Sequence, residues 1–270
     1  MLHVIKPRKG LASLDLKELI QYKDLLFFLA WRNIKVRYKQ TVIGALWAVL
    51  QPVTTMIVFS IFFGALIKVP SEGIPYPIFV YAGLLPWTFF ANVVRFSATS
   101  VIEDEKLITK VYFPRLIIPS SVVGVELIDF FVAFIIFVLM MIYYGVSFSA
   151  TLLAIPLLLL LMIFSALGVG LILSALSVAY RDFRYVVPFL IQLWMYISPV
   201  VYPVSLVPEK WHWLLALNPM TGIIDGFRSA FLHTPFNLST LAISATVSIA
   251  LLIGGTLYFK QLERRFADLI

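Results

Sequence analysis

Apolar runs long enough to cross a bilayer dominate the chain, and short polar, Gly- or Pro-containing segments separate them. Residues 41–67, 76–102, 116–144, 152–178, 186–207 and 238–259 each offer about 20 or more mostly apolar positions, the length needed to span about 30 Å of hydrocarbon as a helix. The pattern therefore predicts an all-α integral membrane fold with six transmembrane helices. Ahead of them, residues 15–38 mix Leu25, Leu26, Phe28 and Leu29 with a basic stripe at Arg32, Lys35 and Lys39. That spacing predicts an amphipathic helix lying in the membrane interface, begun by a capping box of Asp15 and Glu18; an ordinary basic flank of the first span is the alternative. The expected organisation is a cytoplasmic N-terminus with this helix over residues 1–40, a six-helix domain over 41–262 and a tail over 263–270.

Composition agrees with a membrane protein. Hydrophobic residues make up 61% of the 270 and charged residues 13%, against about 45–50% and about 25% in soluble domains. Lys and Arg are unevenly placed: 17 of the 21 fall before residue 41, in 103–115, at Arg181 and Arg184, or after 259. Since basic loops stay in the cytoplasm, both termini are expected there. The first 25 residues are charged and lack an apolar core with a small-residue cleavage site, so the first span reads as an uncleaved anchor. With the basic residues arranged this way, the net charge of +7 does not call for nucleic acid. Absence of cysteine excludes disulfides and thiolate chemistry.

The chain offers little chemistry of its own. No G-x-x-x-x-G-K-[ST] loop is present, and His3, His212 and His233 are scattered, so neither nucleotide binding nor a metal site is expected. Arg95, Glu126 and Asp129 are the ionisable residues inside spans; at 1.5 Å per residue Arg95 and Glu126 reach similar depths, which predicts an intramembrane ion pair between them. Trp47, Gln51, Thr55, Phe59 and Phe62 recur every three or four residues on the first span, as do Phe189, Gln192 and Tyr196 on the fifth. Rings stack on sugar C–H faces while amides and hydroxyls bond sugar hydroxyls, so these faces suit a carbohydrate path; helix packing is the competing reading.

Residues 208–236 are apolar yet divided by Pro208, Asn218-Pro219 and Pro235 into pieces of about ten and fifteen residues, too short to cross. Asn before Pro is a helix start, so a helix is expected from Pro219. Two short helices dipping into the outer leaflet as a re-entrant hairpin would place Asn218, Asp225 and Arg228 toward the other helices and the exit, with Gly222 and Gly226 allowing close packing. A single helix lying flat on the surface is the alternative.

Four stretches, "VRYKQTVIGALWAVLQP" (36–52), "LITKVYFPR" (107–115), "SPVVYP" (198–203) and "LNPMTGIIDGFR" (217–228), resemble in order and spacing the permease subunits of ABC transporters that export O-antigen and teichoic acid polysaccharides. The resemblance covers nearly the whole chain. It implies a bacterial cytoplasmic-membrane homodimer without its own ATPase site, bound to two ATPase subunits that hold ATP and Mg. It further implies a lipid-linked polysaccharide cargo, a channel lined by the first and fifth helices, and an external gate at 217–228. The ATPase would touch the loop carrying Glu103, Asp104, Glu105, Lys106, Lys110 and Arg115. An ABC permease for a lipid or drug and a secondary transporter are the competing functions; a membrane enzyme is disfavoured by the scarcity of clustered acids, histidines and nucleophiles.

Overall fold

A computed structural model describes residues 20–39, 44–263 and 266. The described residues form helices joined by turns and loops, without a strand. Helix α1 (Lys23–Lys39) precedes α2 (Gly44–Phe59), which runs on as a wider π turn over Ser60–Leu66. Next come α3 (Tyr76–Glu103), the short α4 (Glu105–Lys110), α5 (Ile117–Tyr143) and α6 (Ile155–Ala179). The chain ends with α7 (Phe183–Ile197), α8 (His212–Ala216), α9 (Pro219–Leu232) and α10 (Leu238–Glu263). Among the described residues five stretches are long and apolar enough to cross a membrane: Leu46–Leu66, Tyr76–Glu103, Ile117–Tyr143, Ala150–Ala179 and Leu238–Glu263.

Helix α3 is the hub. It packs against α2, α5, α6, α7 and α9, and 83% of its most apolar window is buried. Its start follows from Pro75, whose fixed φ ends the preceding loop, and from a second proline in the first turn, where a missing N–H costs nothing. Helix α2 is the opposite case: Val53, Met56 and Phe59 lean on the main core, and Leu46, Trp47, Leu50, Ile57, Val58, Ile61 and Phe62 are exposed. A second, smaller core joins Leu29 of α1, Ile108 of α4, Phe113, Ile117 and Phe259. This cluster seats α1 and α4 against the ends of α5 and α10.

The fifth expected span differs from its prediction. In place of a helix over 186–207 the chain forms α7, 15 residues long, or about 22 Å at 1.5 Å per residue. It stops at Ser198 because Pro199 follows, and a residue before proline is driven out of helical conformation. Residues 199–203 then turn back into the bundle and bury Pro199, Val200, Val201 and Pro203.

Helix α1 lies within the range expected of an N-terminal helix, while Asp15 and Glu18 fall outside the described residues. Its surface is less cleanly divided than the spacing suggested. Phe27, Phe28, Trp31 and Val36 are exposed, whereas Arg32 and Arg37 turn inward to acids of the bundle. Between residues 208 and 236 two short helices form, the first only five residues long, and the second begins at Pro219 as its capping signal predicts.

Candidate translocation site

Helices α2, α3 and α7 enclose an open cleft of about 400 Å³ whose polar wall is Gln51, Thr55, Asn92, Arg95 and Gln192, with Phe189 as an aromatic face. A second cleft, of about 420 Å³, lies on the other side of α2, between α1, α3 and α5. It holds Arg37, Tyr38, Trp47, Glu126 and Asp129. Gln51, Asn92 and Arg95 line both. They recur on one face because Asn92 and Arg95 are three apart on α3, opposite Gln51 on α2.

Of the seven residues expected to line a path, Gln51, Thr55, Phe189 and Gln192 meet in the first cleft and Trp47 in the second. Two do not join them. Phe59 is half-buried against the main core, edge-on to Phe63 at 5.6 Å between ring centres. Tyr196 is exposed at the end of α7, and its carbonyl accepts from the Tyr202 hydroxyl at 3.3 Å.

The acids of α5 find a partner other than the one expected. The Nη1 atom of Arg37 lies 2.7 Å from Glu126 Oε1 and 2.7 Å from Asp129 Oδ2, so the predicted Arg95–Glu126 pair is replaced by an Arg37–Glu126 pair. Packing of α1 along α5 carries Arg37 over the acids from outside the span. The guanidinium also sits 4.7 Å above the Phe96 ring. Its contact with Asp129 is an aligned hydrogen bond, while that with Glu126 is a charge contact without such alignment. Tyr38 donates its hydroxyl to Asp129; burial, and then that hydrogen bond, push the phenol above its usual range, so it stays a neutral donor. Arg95 is exposed and has no ion pair among the described residues.

The segment expected to meet a partner is built around α4. Ile108 and Phe113 are buried and anchor it, and Glu103, Glu105, Lys106 and Lys110 point outward. Two members are occupied internally. Asp104 accepts from Arg32 at 2.7 Å, and Arg115 donates its backbone N–H to Glu263 Oε1 at 2.9 Å and its guanidinium to the Glu263 carbonyl. Tyr112, 79% exposed beside them, was not singled out by charge pattern; a large ring in an otherwise charged loop was its signal.

At the opposite end of α3, α9 is almost completely buried among α3, α6 and α10. Asn218 caps it: Oδ1 accepts from Met220 N at 3.1 Å and from Trp194 Nε1 at 3.0 Å, and Nδ2 donates to Ser198 Oγ at 2.8 Å. Pro219 fills the first helical position. Gly222 and Gly226 are sites of close approach, since a Cβ on Gly222 would come within 2.5 Å of Ser244 Oγ and one on Gly226 within 2.7 Å of Leu158. Asp225 is half-buried and lines a small crevice with Glu72 and Arg228.

Arg228 is 3% exposed. It donates to the carbonyls of Pro199 at 2.7 Å, Val200 at 2.6 Å and Tyr202 at 3.3 Å, and its guanidinium stacks 3.8 Å over Phe79. It therefore clamps the turn after α7 from within.

The family model for the ABC-2 type transporter matches residues 24–232, a range reaching from the N-terminal helix through α9. The chain belongs to the ABC-2 type transporter family. It is thus a membrane component of a transporter, in keeping with its multiple apolar helices. Among curated proteins it is similar to an O-antigen export system permease of Myxococcus xanthus, 31% identical over 94% of this chain and 98% of the relative. An O-antigen export permease of Klebsiella pneumoniae is likewise 31% identical over 92% of this chain and 95% of its own length. A polysialic acid transport protein of Escherichia coli is 25% identical over 86% of the chain and 91% of its length.

Proposed function

We propose that this ABC-2 family member is the permease through which a polysaccharide leaves the cytoplasm, driven by a partner ATPase. The observation that carries the reading is the cleft formed by α2, α3 and α7. It combines three amides, two hydroxyls and aromatic rings from three helices around one open cleft. Amides and hydroxyls bond sugar hydroxyls and rings stack on sugar faces, whereas a lipid or drug path needs few such groups. Relatives named for O-antigen export and polysialic acid transport support the same cargo class.

In this reading two copies face each other across α2 and α7, and an ATPase subunit docks on each through the exposed face of α4 with Tyr112. ATP and Mg are held by those subunits. Both termini lie in the cytoplasm, α1 rests in the membrane interface, and α7 with its following turn makes the sixth crossing. Helices α8 and α9 form the re-entrant hairpin at the outer mouth, supported by the burial of α9 and its capped start within the bundle.

The test is export of polysaccharide into inverted membrane vesicles containing the permease and its ATPase. Gln51→Ala with Gln192→Ala should cut export about tenfold while the complex assembles and hydrolyses ATP normally. Full-rate export by that variant would overturn the path.

A further inference from the structure

Arg95, set within the α3 span, differs from the arginines that pack into the bundle. Arg37 is taken by Glu126 and Asp129, Arg32 by Asp104, Arg115 by Glu263, and Arg228 by backbone carbonyls. Arg95 has no such partner among the described residues, although it lies eight residues inside the end of α3, about 12 Å along the helix. A cation at that depth within a span is costly to keep and marks a site of function or pairing. The acids close to it are already matched by Arg37 and, for Asp129, by the Tyr38 hydroxyl.

The surroundings of Arg95 favour an anion. In the cleft between α2, α3 and α7 it is the single charged residue of the lining among the described residues, and Gln51, Asn92, Gln192 and Thr88 stand around it as amide and hydroxyl groups. A guanidinium presents a planar fork of N–H groups that fits the two oxygens of a carboxylate or phosphate. Amides beside it complete the oxygen shell of such a group and bind neighbouring hydroxyls. An apolar path would gain nothing from the charge, and neutral hydroxyls use it less fully than an anion does.

We infer that Arg95, with Asn92 and the two flanking glutamines, forms a binding site for an acidic group, a phosphate or carboxylate, borne by the carbohydrate cargo. This deepens the export reading and rests on it. The acid can come from a lipid diphosphate head that anchors the glycan or from acidic sugars along the polymer. In both cases the group passes between the two clefts at the wall that Arg95 shares. The site then does what a neutral aromatic surface cannot: it selects for charge and sets a resting point along the path.

The experiment measures binding to wild-type, Arg95→Gln and Arg95→Lys permease, each with its ATPase partner in nanodiscs of zwitterionic lipid. Quenching of the tryptophans is the signal, since Trp47 and Trp87 line the clefts. Three probes are compared: a polyprenyl diphosphate without sugar, an oligogalacturonate, and neutral maltoheptaose. The wild type should bind at least one acidic probe, Arg95→Gln should bind it about tenfold more weakly, and Arg95→Lys should recover much of the loss. Binding of maltoheptaose should stay unchanged in all three proteins. Loss confined to the polyprenyl diphosphate assigns the site to the lipid head, loss confined to oligogalacturonate assigns it to the polymer, and loss of both assigns it to the acid in either setting.

Equal binding of acidic probes by wild type and Arg95→Gln overturns the site. So does an Arg95→Gln loss that is as large for maltoheptaose, or an Arg95→Gln complex that falls apart into single copies, which would make Arg95 a contact between subunits. A wild type that binds maltoheptaose but is indifferent to Arg95 sinks this site alone. One that binds none of the three probes sinks the carbohydrate reading with it.

Discussion

Arg228 on α9 and Arg95 on α3 are both guanidinium groups set among apolar helices, and the molecule surrounds them differently. Arg228 is 3% exposed, stacked on Phe79, with its N–H groups spent on the turn that ends α7. Arg95 is exposed beside two clefts with amides as neighbours. A buried cation whose donors are mostly spent on fixed backbone holds a shape. One left open on a polar wall is available to something that arrives. The same residue type thus separates a rigid end of the bundle from a working face, and the separation can be tested by the cost of removing each charge.

The largest loss is expected at the rigid end. Arg228→Met removes the donors to Pro199, Val200 and Tyr202 and strands their carbonyls inside protein. Each stranded buried acceptor costs about 1–3 kcal/mol, so the variant should lose about 3–5 kcal/mol. Arg228→Lys should recover only part of it, because one ammonium cannot fork to several carbonyls. Gly83→Ala attacks the same clamp from the other side, since its Cβ would sit 2.8 Å from both Arg228 Nη2 and the Val200 carbonyl. Thermal unfolding in nanodiscs decides: Arg228→Met melting with the wild type would mean that the clamp is ornamental. Arg95→Gln, by contrast, should leave the melting temperature unchanged.

How far this contrast was legible in the sequence depends on the range of the signal. Local signals carried well. Apolar run lengths located five long helices, and Asn218-Pro219 marked the start of α9 because the cap and the fixed φ both lie within three residues. The prolines of 198–203 already held the reason for α7 to stop, but average hydrophobicity hid it. Pairings between distant segments did not carry. Glu126 and Arg95 matched in depth, yet Arg37, from a helix read as lying in the membrane interface, reaches the acid first. Likewise Arg228 was expected to face the other helices and the exit, and only the return of residues 199–202 into the bundle makes it a clamp.

A double-mutant cycle sharpens that point. Arg37→Gln and Glu126→Gln should each destabilise, and the pair should be non-additive by about 0.5–3 kcal/mol, the range for residues in one charge network. The same cycle with Arg95→Gln in place of Arg37→Gln should be additive. Coupling of Glu126 to Arg95 but not to Arg37 would restore the pairing suggested by depth alone and remove the free cation from the working face.

At the cap of α9 a smaller effect is expected. Asn218→Ala loses the acceptor for Met220 N–H and Trp194 Nε1 and the donor to Ser198. Cap removal typically costs about 0.5–2 kcal/mol, and the two side-chain bonds place this site toward the upper part of that range. Asn218→Asp keeps the acceptor while losing the donor, so it should lose less. If the two variants melt alike, the cap acceptor is not what fixes the start of α9.

The smallest effect belongs to the most open of the paired arginines. Arg32 meets Asp104 at 2.7 Å with side chains 35% and 19% exposed, between Arg228 in its sealed pocket and Arg95, which has no ion pair among the described residues. Water competes for both groups, and exposed pairs of this kind contribute about 0.2–1 kcal/mol. Arg32→Ala should therefore shift stability by less than about 1 kcal/mol, and the shift should shrink as salt shortens the Debye length from about 10 Å to about 3 Å. The pair nonetheless bridges α1 and the turn that begins α4, the segment expected to meet the ATPase. Arg32→Ala should accordingly weaken the link between ATP hydrolysis and export more than it weakens the fold, read as ATP consumed per unit of polymer delivered. A stability loss above about 2 kcal/mol that salt does not change would class Arg32 with Arg228, as part of the rigid frame, and would move the boundary of the working face away from α1.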